Sequence, residues 1–334
     1  MAIDLPFIWA GIIAFAVLAY VMLDGFDLGI GILFPSYPAR AHRDLMMNSV
    51  APIWDGNETW LVLGGGGLMA AFPLAYAIVM PALYVPLIVM LLALVFRGVA
   101  FEFRWKAETD VSRRLWDSSF AWGSIVAAFA QGIALGALVQ GIPVKGRAYA
   151  GGWWDWLTPF SLLTGLALVA GYALLGATWL ILKTDGEVQS KAIRLARLTG
   201  LATVLFIGAV SIWTPFLEPL YMARWFDFPQ ILYTAPVPLL VAASAYALLR
   251  GLNEGRELLP FLAAQSLFLL SYIGLGISFY PYIVPPSLSI WAAAAPPESQ
   301  GFLLVGTMIL VPLILAYTGY AYWVFRGKTG IFYR

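Results

Sequence analysis

Apolar runs long enough to cross a bilayer, about 20 residues each, recur nine times along the chain, over residues 7–34, 51–74, 77–99, 119–141, 158–182, 199–218, 230–250, 258–281 and 302–325. Charged residues collect between them. The stretch from Val50 to Val99 is broken only by Pro73, the short segment Leu74 to Met80, and Pro81. As one helix it would reach about 75 Å against a hydrocarbon core of roughly 30 Å, so it must fold back as a hairpin. The pattern predicts an all-α polytopic membrane protein with nine transmembrane helices. Nine spans put alternate connections on opposite sides, and the basic residues divide 16 to 3, with only Lys145, Arg147 and Arg224 on the poorer side. Because Lys and Arg are retained on the cytoplasmic side, the N-terminus is expected outside and the C-terminus in the cytoplasm. An even number of spans would scramble that division.

Composition agrees with this class. Hydrophobic residues make up 61% of the 334 and charged residues 11%, outside the range of soluble domains. The chain reads as a single integral membrane domain over 1–334, with the acidic motifs in about 1–120 and further helices and scaffold in about 121–334. A formal net charge of +1 gives no footing for nucleic acid. The absence of Cys excludes disulfides, thiolate metal sites and iron–sulfur ligation. Met1 to Pro6 contains Asp4 and no basic residue, unlike a cleavable signal, so the first span is expected to be a retained helix. Two outer connections are long. Residues 142–157 carry Trp153, Trp154 and Trp156, suited to the headgroup belt, and residues 281–300 carry Pro285, Pro286, Pro296 and Pro297, which reads as an ordered cap or a partner contact.

The chemistry concentrates in the first two spans. Asp24 and Asp27 are three residues apart on one predicted helix, and Asp55 and Glu58 three apart on the next, so each pair shares a helix face and the two acidic faces are expected to meet. Each acid at mid-membrane would cost roughly 2.5 to 3.5 kcal/mol, which places them against protein or water rather than lipid. Counting along the helices puts Asp27 and Asp55 about 5 to 15 Å from the cytoplasmic surface. Glycines around them, Gly25, Gly29, Gly31 and Gly64 to Gly67, allow helices to approach closely. Carboxylates gathered in this way can relay protons, or they can simply hold helices together by hydrogen bonds; the cluster alone weighs equally for both. A metal or sodium site is a weaker third reading. Arg97 is placed at the cytoplasmic end of the third span, followed by Glu102 and Arg104, as an anchor or as a charge partner for one acid. Trp54 and Trp60 flank the second acidic pair. His42 is the only histidine and lies between Arg40 and Arg43, in an expected solvated loop, so no intramembrane imidazole is present to hold a haem. The nine Met residues are scattered and read as packing.

Three segments, Leu23 to Gly29, Asn48 to Leu61 and Phe96 to Glu102, resemble subunit II of the cytochrome bd-type terminal quinol oxidases, in particular the cyanide-insensitive branch. The likeness is dense over about the first 120 residues and continues to the C-terminus as spacing and helix count. It implies two four-helix bundles plus one peripheral helix. It also implies a haem-free subunit of a heterodimer in the bacterial inner membrane, whose partner, subunit I, carries two b-type haems, one d-type haem and the quinol site. Small single-helix accessory subunits and a structural quinone belong to the same expectation. Quinol electrons reduce dioxygen to water in such enzymes, with protons drawn from the cytoplasm. The resemblance carries a proton path onto Asp27, Asp55 and Glu102, with Glu58 and Asp24 beside it. Trp54, Arg97, Asn57 and Trp60 become subunit contacts or charge partners. Two departures stand out: Glu102 replaces the usual Asp, and Glu58 stands where some members have Gln. A proton-coupled secondary transporter and a purely structural scaffold subunit are the competing readings.

Overall fold

The computed structural model describes residues 4–330 and is mostly helical. Among the described residues, eight helices are long and apolar enough to cross a membrane, or nine spans if one bent pair is counted with them. The eight are α1 (Leu5–Leu33), α5 (Tyr84–Phe103), α6 (Asp110–Val139), α7 (Pro159–Lys183), α8 (Gly186–Trp213), α11 (Pro236–Asn253), α12 (Leu258–Phe279) and α14 (Pro297–Val324), and the bent pair opens with α3 (Trp54–Ala71). Between them lie α2 (Arg40–Asn48), α4 (Pro73–Ala82), α9 (Pro219–Phe226), α10 (Gln230–Thr234) and α13 (Ile290–Ala293).

The hairpin of residues 50–99 differs in detail from its sequence pattern. Helices α3 and α4 meet at Phe72 with a bend of 120°, because Pro73 cannot donate the hydrogen bond that would continue α3. A second break falls at Leu83, so the third crossing begins at Tyr84 rather than at 77 and runs on to Phe103. Arg97 therefore sits inside α5 and does not end it. His42 is also not in a loop: it lies on α2, partly covered, with Nε2 3.4 Å from a Glu187 carboxylate oxygen. The all-α expectation needs a small amendment. The two long connections contain short antiparallel hairpins, β1 (Val144–Lys145) with β2 (Ala148–Tyr149) and β3 (Tyr282–Val284) with β4 (Leu288–Ser289). The proline-rich segment is an ordered cap, fixed by Ala295 N–H to Ala71 O at 2.9 Å and by Ile142 N–H to Pro285 O at 3.2 Å.

Helix α1 is the hub. It packs on α3, α6, α7 and α12, while α5 pairs with α6, α8 with α7, and α11 with α12. From Asp24 to Gly31 every α1 residue is buried, so this half is enclosed on all sides and needs small residues at its crossings. A Cβ on Gly29 would run into the backbone of Tyr172 and Gly176, and one on Gly176 into the backbone of Gly29. Backbone cannot move aside as a flexible side chain can, so α1 and α7 touch main chain to main chain.

At the end of the bundle where the basic residues gather, charges tie the connections together. Arg104 is buried and binds Asp117 at 2.5 Å and Asp44 at 2.6 Å, and Arg43 joins Asp117 at 2.8 Å. The segment after α14 is strapped across the α7–α8 turn. The Lys183 ammonium donates to the carbonyls of Phe325 and Gly327, Thr329 N–H donates to Lys183 O at 2.8 Å, and Lys328 lies 2.8 Å from Glu257. Helix α14 has few other holds, since the middle of its apolar stretch is not buried by the rest of the chain.

Two outcomes follow from this packing. Gly176→Ala should force α1 and α7 apart at a cost of about 1–3 kcal/mol or more, lowering the melting temperature of the purified protein well beyond the effect of Gly208→Ala, where a Cβ meets open space. The Lys328 ammonium and the Gln189 amide hold Glu257 below its usual carboxylate range. Because that value is depressed, the carboxylate's contribution is complete above the unfolded value and is lost as pH falls through the folded one. The protection of the Thr329 amide, the slowing of its exchange relative to an unstructured amide at the same pH, should therefore fall on acidification, and the acid-dependent part of that change should vanish in Glu257→Gln.

Candidate functional site: a buried acidic cluster

The buried residues of α3 are Asn57, Trp60, Gly64, Gly67 and Ala71, a spacing of three and four that makes one helical stripe facing α1. Asp55 is off this stripe and Glu58 lies at its edge. This decides which polar groups meet. Asp27, wholly buried, accepts a 2.7 Å hydrogen bond from Asn57 Nδ2, not from the second acidic pair. Asp24, also wholly buried, accepts from Arg97 Nη2 at 3.0 Å, and the same guanidinium lies 3.9 Å from Glu58. Arg97 is itself only 2% exposed. The expected meeting of two acidic faces thus becomes two acids of α1 meeting an amide from α3 and a guanidinium from α5.

The remaining residues singled out from the sequence sit around this core. Asp55 is exposed and lines a cleft of about 610 Å³ between the start of α3 and the second half of α14, together with Asn57, Thr59, Tyr317, Thr318 and Tyr322. Glu102 is exposed in the last turn of α5. Trp54 stacks at a tilt on Phe101, ring centres 5.0 Å apart. Trp60, expected at a subunit contact or beside a charge, is 1% exposed and packs edge-on to Phe15 within the chain. So Asp24, Asp27, Asn57, Glu58 and Arg97 come together, and Asp55 and Glu102 stand apart from them.

Several polar residues of the site escaped the sequence. Tyr322 on α14 donates from its hydroxyl to Asn57 Oδ1 at 3.0 Å. Tyr20, one turn before Asp24, accepts from Gln131 Nε2 at 2.6 Å, and Tyr172 donates to Gln131 Oε1 at 3.0 Å. Gln131 was the legible signal among these, an amide in mid-span. The tyrosines carry no such mark because they are ordinary components of apolar helices. Four atoms of the cluster, Asp24 Oδ2, Asp27 Oδ1, and Nε and Nη1 of Arg97, are buried without a hydrogen bond from the described residues. Among those residues no group of three His, Cys, Asp or Glu side chains gathers as a metal-binding set.

Fold and site together define a multi-pass membrane protein that encloses an ion-paired carboxylate cluster near one end of its helices. Residues 5–325 match the family described as cytochrome bd terminal oxidase subunit II, and the chain belongs to that family, a subunit of a respiratory oxidase. It is 30% identical over 360 aligned residues to the cytochrome bd-I ubiquinol oxidase subunit 2 of Escherichia coli strain K12, covering 97% of this chain and 95% of that protein. It is 25% identical to the cytochrome bd ubiquinol oxidase subunit 2 of Bacillus subtilis strain 168, covering 96% of each. Among solved structures, a chain of the bd oxidase from Geobacillus thermodenitrificans superposes with a TM-score of 0.78, covering 97% of this chain and 99% of that one at 18% identity, a likeness of fold.

Removing one side of the buried pair leaves the other charge without compensation, typically at a cost of 3–5 kcal/mol. Arg97→Gln should therefore reduce the yield of folded protein and its melting temperature sharply. Asp24→Asn in the same chain should restore part of both, as read by thermal denaturation in detergent.

Proposed function

We propose that this chain is the haem-free subunit of a bd-type quinol:dioxygen oxidoreductase, which supports the haem-bearing subunit I and admits cytoplasmic protons for reduction of dioxygen to water. The observation that carries this reading is Asp27, a fully buried acid hydrogen-bonded to Asn57, which in turn lines the cleft that also holds exposed Asp55. A proton entering the cleft from the end where the basic residues gather meets Asp55 first and Asp27 one side chain further in. Asp24 and Glu58 then share the Arg97 guanidinium, and Glu102 offers a second exposed carboxylate on the same end of α5. The buried polar atoms that find no partner among the described residues support a path served by water, because leaving such groups unpaired costs about 1–3 kcal/mol each.

The haems of the complex supply electron transfer and dioxygen reduction. The donor set here does not fit an axial role: the single imidazole, His42, is on α2 beside Glu187 and outside the spans, so the two b-type haems, the d-type haem and the quinol site are assigned to subunit I. No residues of this chain are assigned to a structural quinone or to an accessory single-helix subunit. The helix pairings support an arrangement of two four-helix bundles, α1, α3, α5 and α6 beside α7, α8, α11 and α12, with α14 peripheral, in one integral membrane domain. The gathering of basic residues at one end of the helices supports an orientation with the N-terminus outside and the C-terminus in the cytoplasm. Trp54 and Arg97 act within the chain, the first packed on Phe101 and the second paired with Asp24.

The structural reading has its own observation in the Asp24–Arg97 pair, which would hold α1 to α5 whether or not protons pass. Oxygen consumption and haem content of the purified complex separate the two. Asp27→Asn should slow quinol-driven oxygen consumption roughly tenfold or more with haem retained, and Asp55→Asn, on the open wall, should slow it less. Loss of haem in step with activity would favour the scaffold, and full activity in both variants would remove the proton path. A transporter acting alone would purify without any haem-bearing chain.

A further inference from the structure

We propose that Tyr322 is a positioning residue for Asp27, acting through the Asn57 amide; this rests on the reading of Asp27 as a proton carrier. An amide side chain faces an ionised carboxylate with its N–H and a protonated carboxyl group with either end, and its other hydrogen-bond partners help choose which. Asn57 Nδ2 faces two acceptors, Asp27 Oδ2 at 2.7 Å and Leu23 O at 3.4 Å. Its Oδ1 needs a donor on the opposite side, and Tyr322 provides one at 3.0 Å. The phenol is held in place by edge-on contacts of its ring with Phe26 and Trp179, at 6.5 and 6.3 Å between centres. It lies on α14, a few residues before the strap that ties the chain to Lys183.

A hydroxyl both donates and accepts, which suits it to a carboxyl that changes protonation. When Asp27 is ionised, the amide N–H points to it and the Tyr322 O–H closes the other end. When Asp27 carries a proton, its O–H can donate to the amide oxygen; the amide then turns over and its N–H finds the Tyr322 oxygen. Both arrangements leave every amide group paired, and both need the hydroxyl. A phenyl ring in its place preserves the packing and serves neither. Asn57 and Tyr322 also both line the cleft, so the amide turns at the boundary between the cleft and the buried acid. The charged groups that bear on Asp27 are Asp24 on its own helix, Glu58 on α3 and Arg97 on α5, and none of them contacts the amide oxygen.

The experiment measures quinol-driven oxygen consumption of the purified complex against pH, together with haem content. Tyr322→Phe should lower turnover about tenfold, keep the haem, and move the alkaline limb of the pH profile to higher pH, because the ionised form of Asp27 has lost its oriented N–H donor. Asn57→Leu should move that limb the same way. Adding Tyr322→Phe to Asp27→Asn should slow the enzyme no further, since both changes act on one unit. An unmoved pH profile in Tyr322→Phe, with or without loss of haem, assigns the tyrosine to packing and overturns the proposal, as does an additive double variant. If Asp27→Asn alone is fully active, the proton path falls and this role falls with it; if Asp27→Asn is slow but Tyr322→Phe is unchanged, only the role of the tyrosine is lost.

Discussion

A guanidinium and a carboxylate held 3.0 Å apart inside the hydrophobic part of a membrane protein set the terms for everything around them. Each ion alone would carry a desolvation penalty of several kcal/mol, and only close, well-directed pairing offsets it. Helix α5 must therefore present Arg97 at the height of Asp24 on α1, and the break at Leu83, which starts α5 at Tyr84, is compatible with that register. The third acid near the guanidinium, Glu58, is only partly covered, and Asp55 turns outward, which spares α3 the burial of two further charges.

That pairing is feasible only because α1 can be surrounded. Main-chain contact at Gly29 and Gly176 brings α7 against it, and α3 contributes a stripe whose smallest members, Gly64 and Gly67, face Val17 and Ile13. Close helices exclude lipid from the acids, and the low dielectric that results strengthens every hydrogen bond made to them. The same enclosure stops at the α3–α14 cleft. There the chain leaves polar wall residues, Asp55, Thr59 and Tyr317 among them, in reach of the outside. One cluster thus combines a rigid, ion-paired half around Asp24 with a half around Asp27 that borders open space, and the proposed division between support and proton passage follows that line.

The membership of this chain in the bd oxidase family gives the arrangement its setting. Under the proposed reading, the chain contributes to such a complex through shape and acid–base groups, and the redox centres belong to its partner. The charged lattice of Arg104, Asp44, Asp117 and Arg43, and the strap beyond α14, fix the helix ends at the side where protons are proposed to enter.

Much of this was legible in the sequence. Bilayer thickness fixes the length of apolar runs, so the spans could be read from hydropathy, and the retention of positive charge sets an expectation for the orientation. The rarity of carboxylates in such runs marked Asp24, Asp27, Asp55 and Glu58, and the motifs around them pointed to the family. What the sequence left open was which side chain each acid would meet. Spacing placed Asp55 and Glu58 on a common face, yet a rotation of α3 that puts Asn57 and Trp60 inward turns Asp55 out, and only packing against α1 fixes that rotation. Tyr322 lies 265 residues from Asn57 in the chain, and Gln131 more than 100 from Tyr20. No local pattern encodes such pairs: they exist because helices distant in sequence are pressed together by the burial of their small residues, and it is the tertiary structure that chose them.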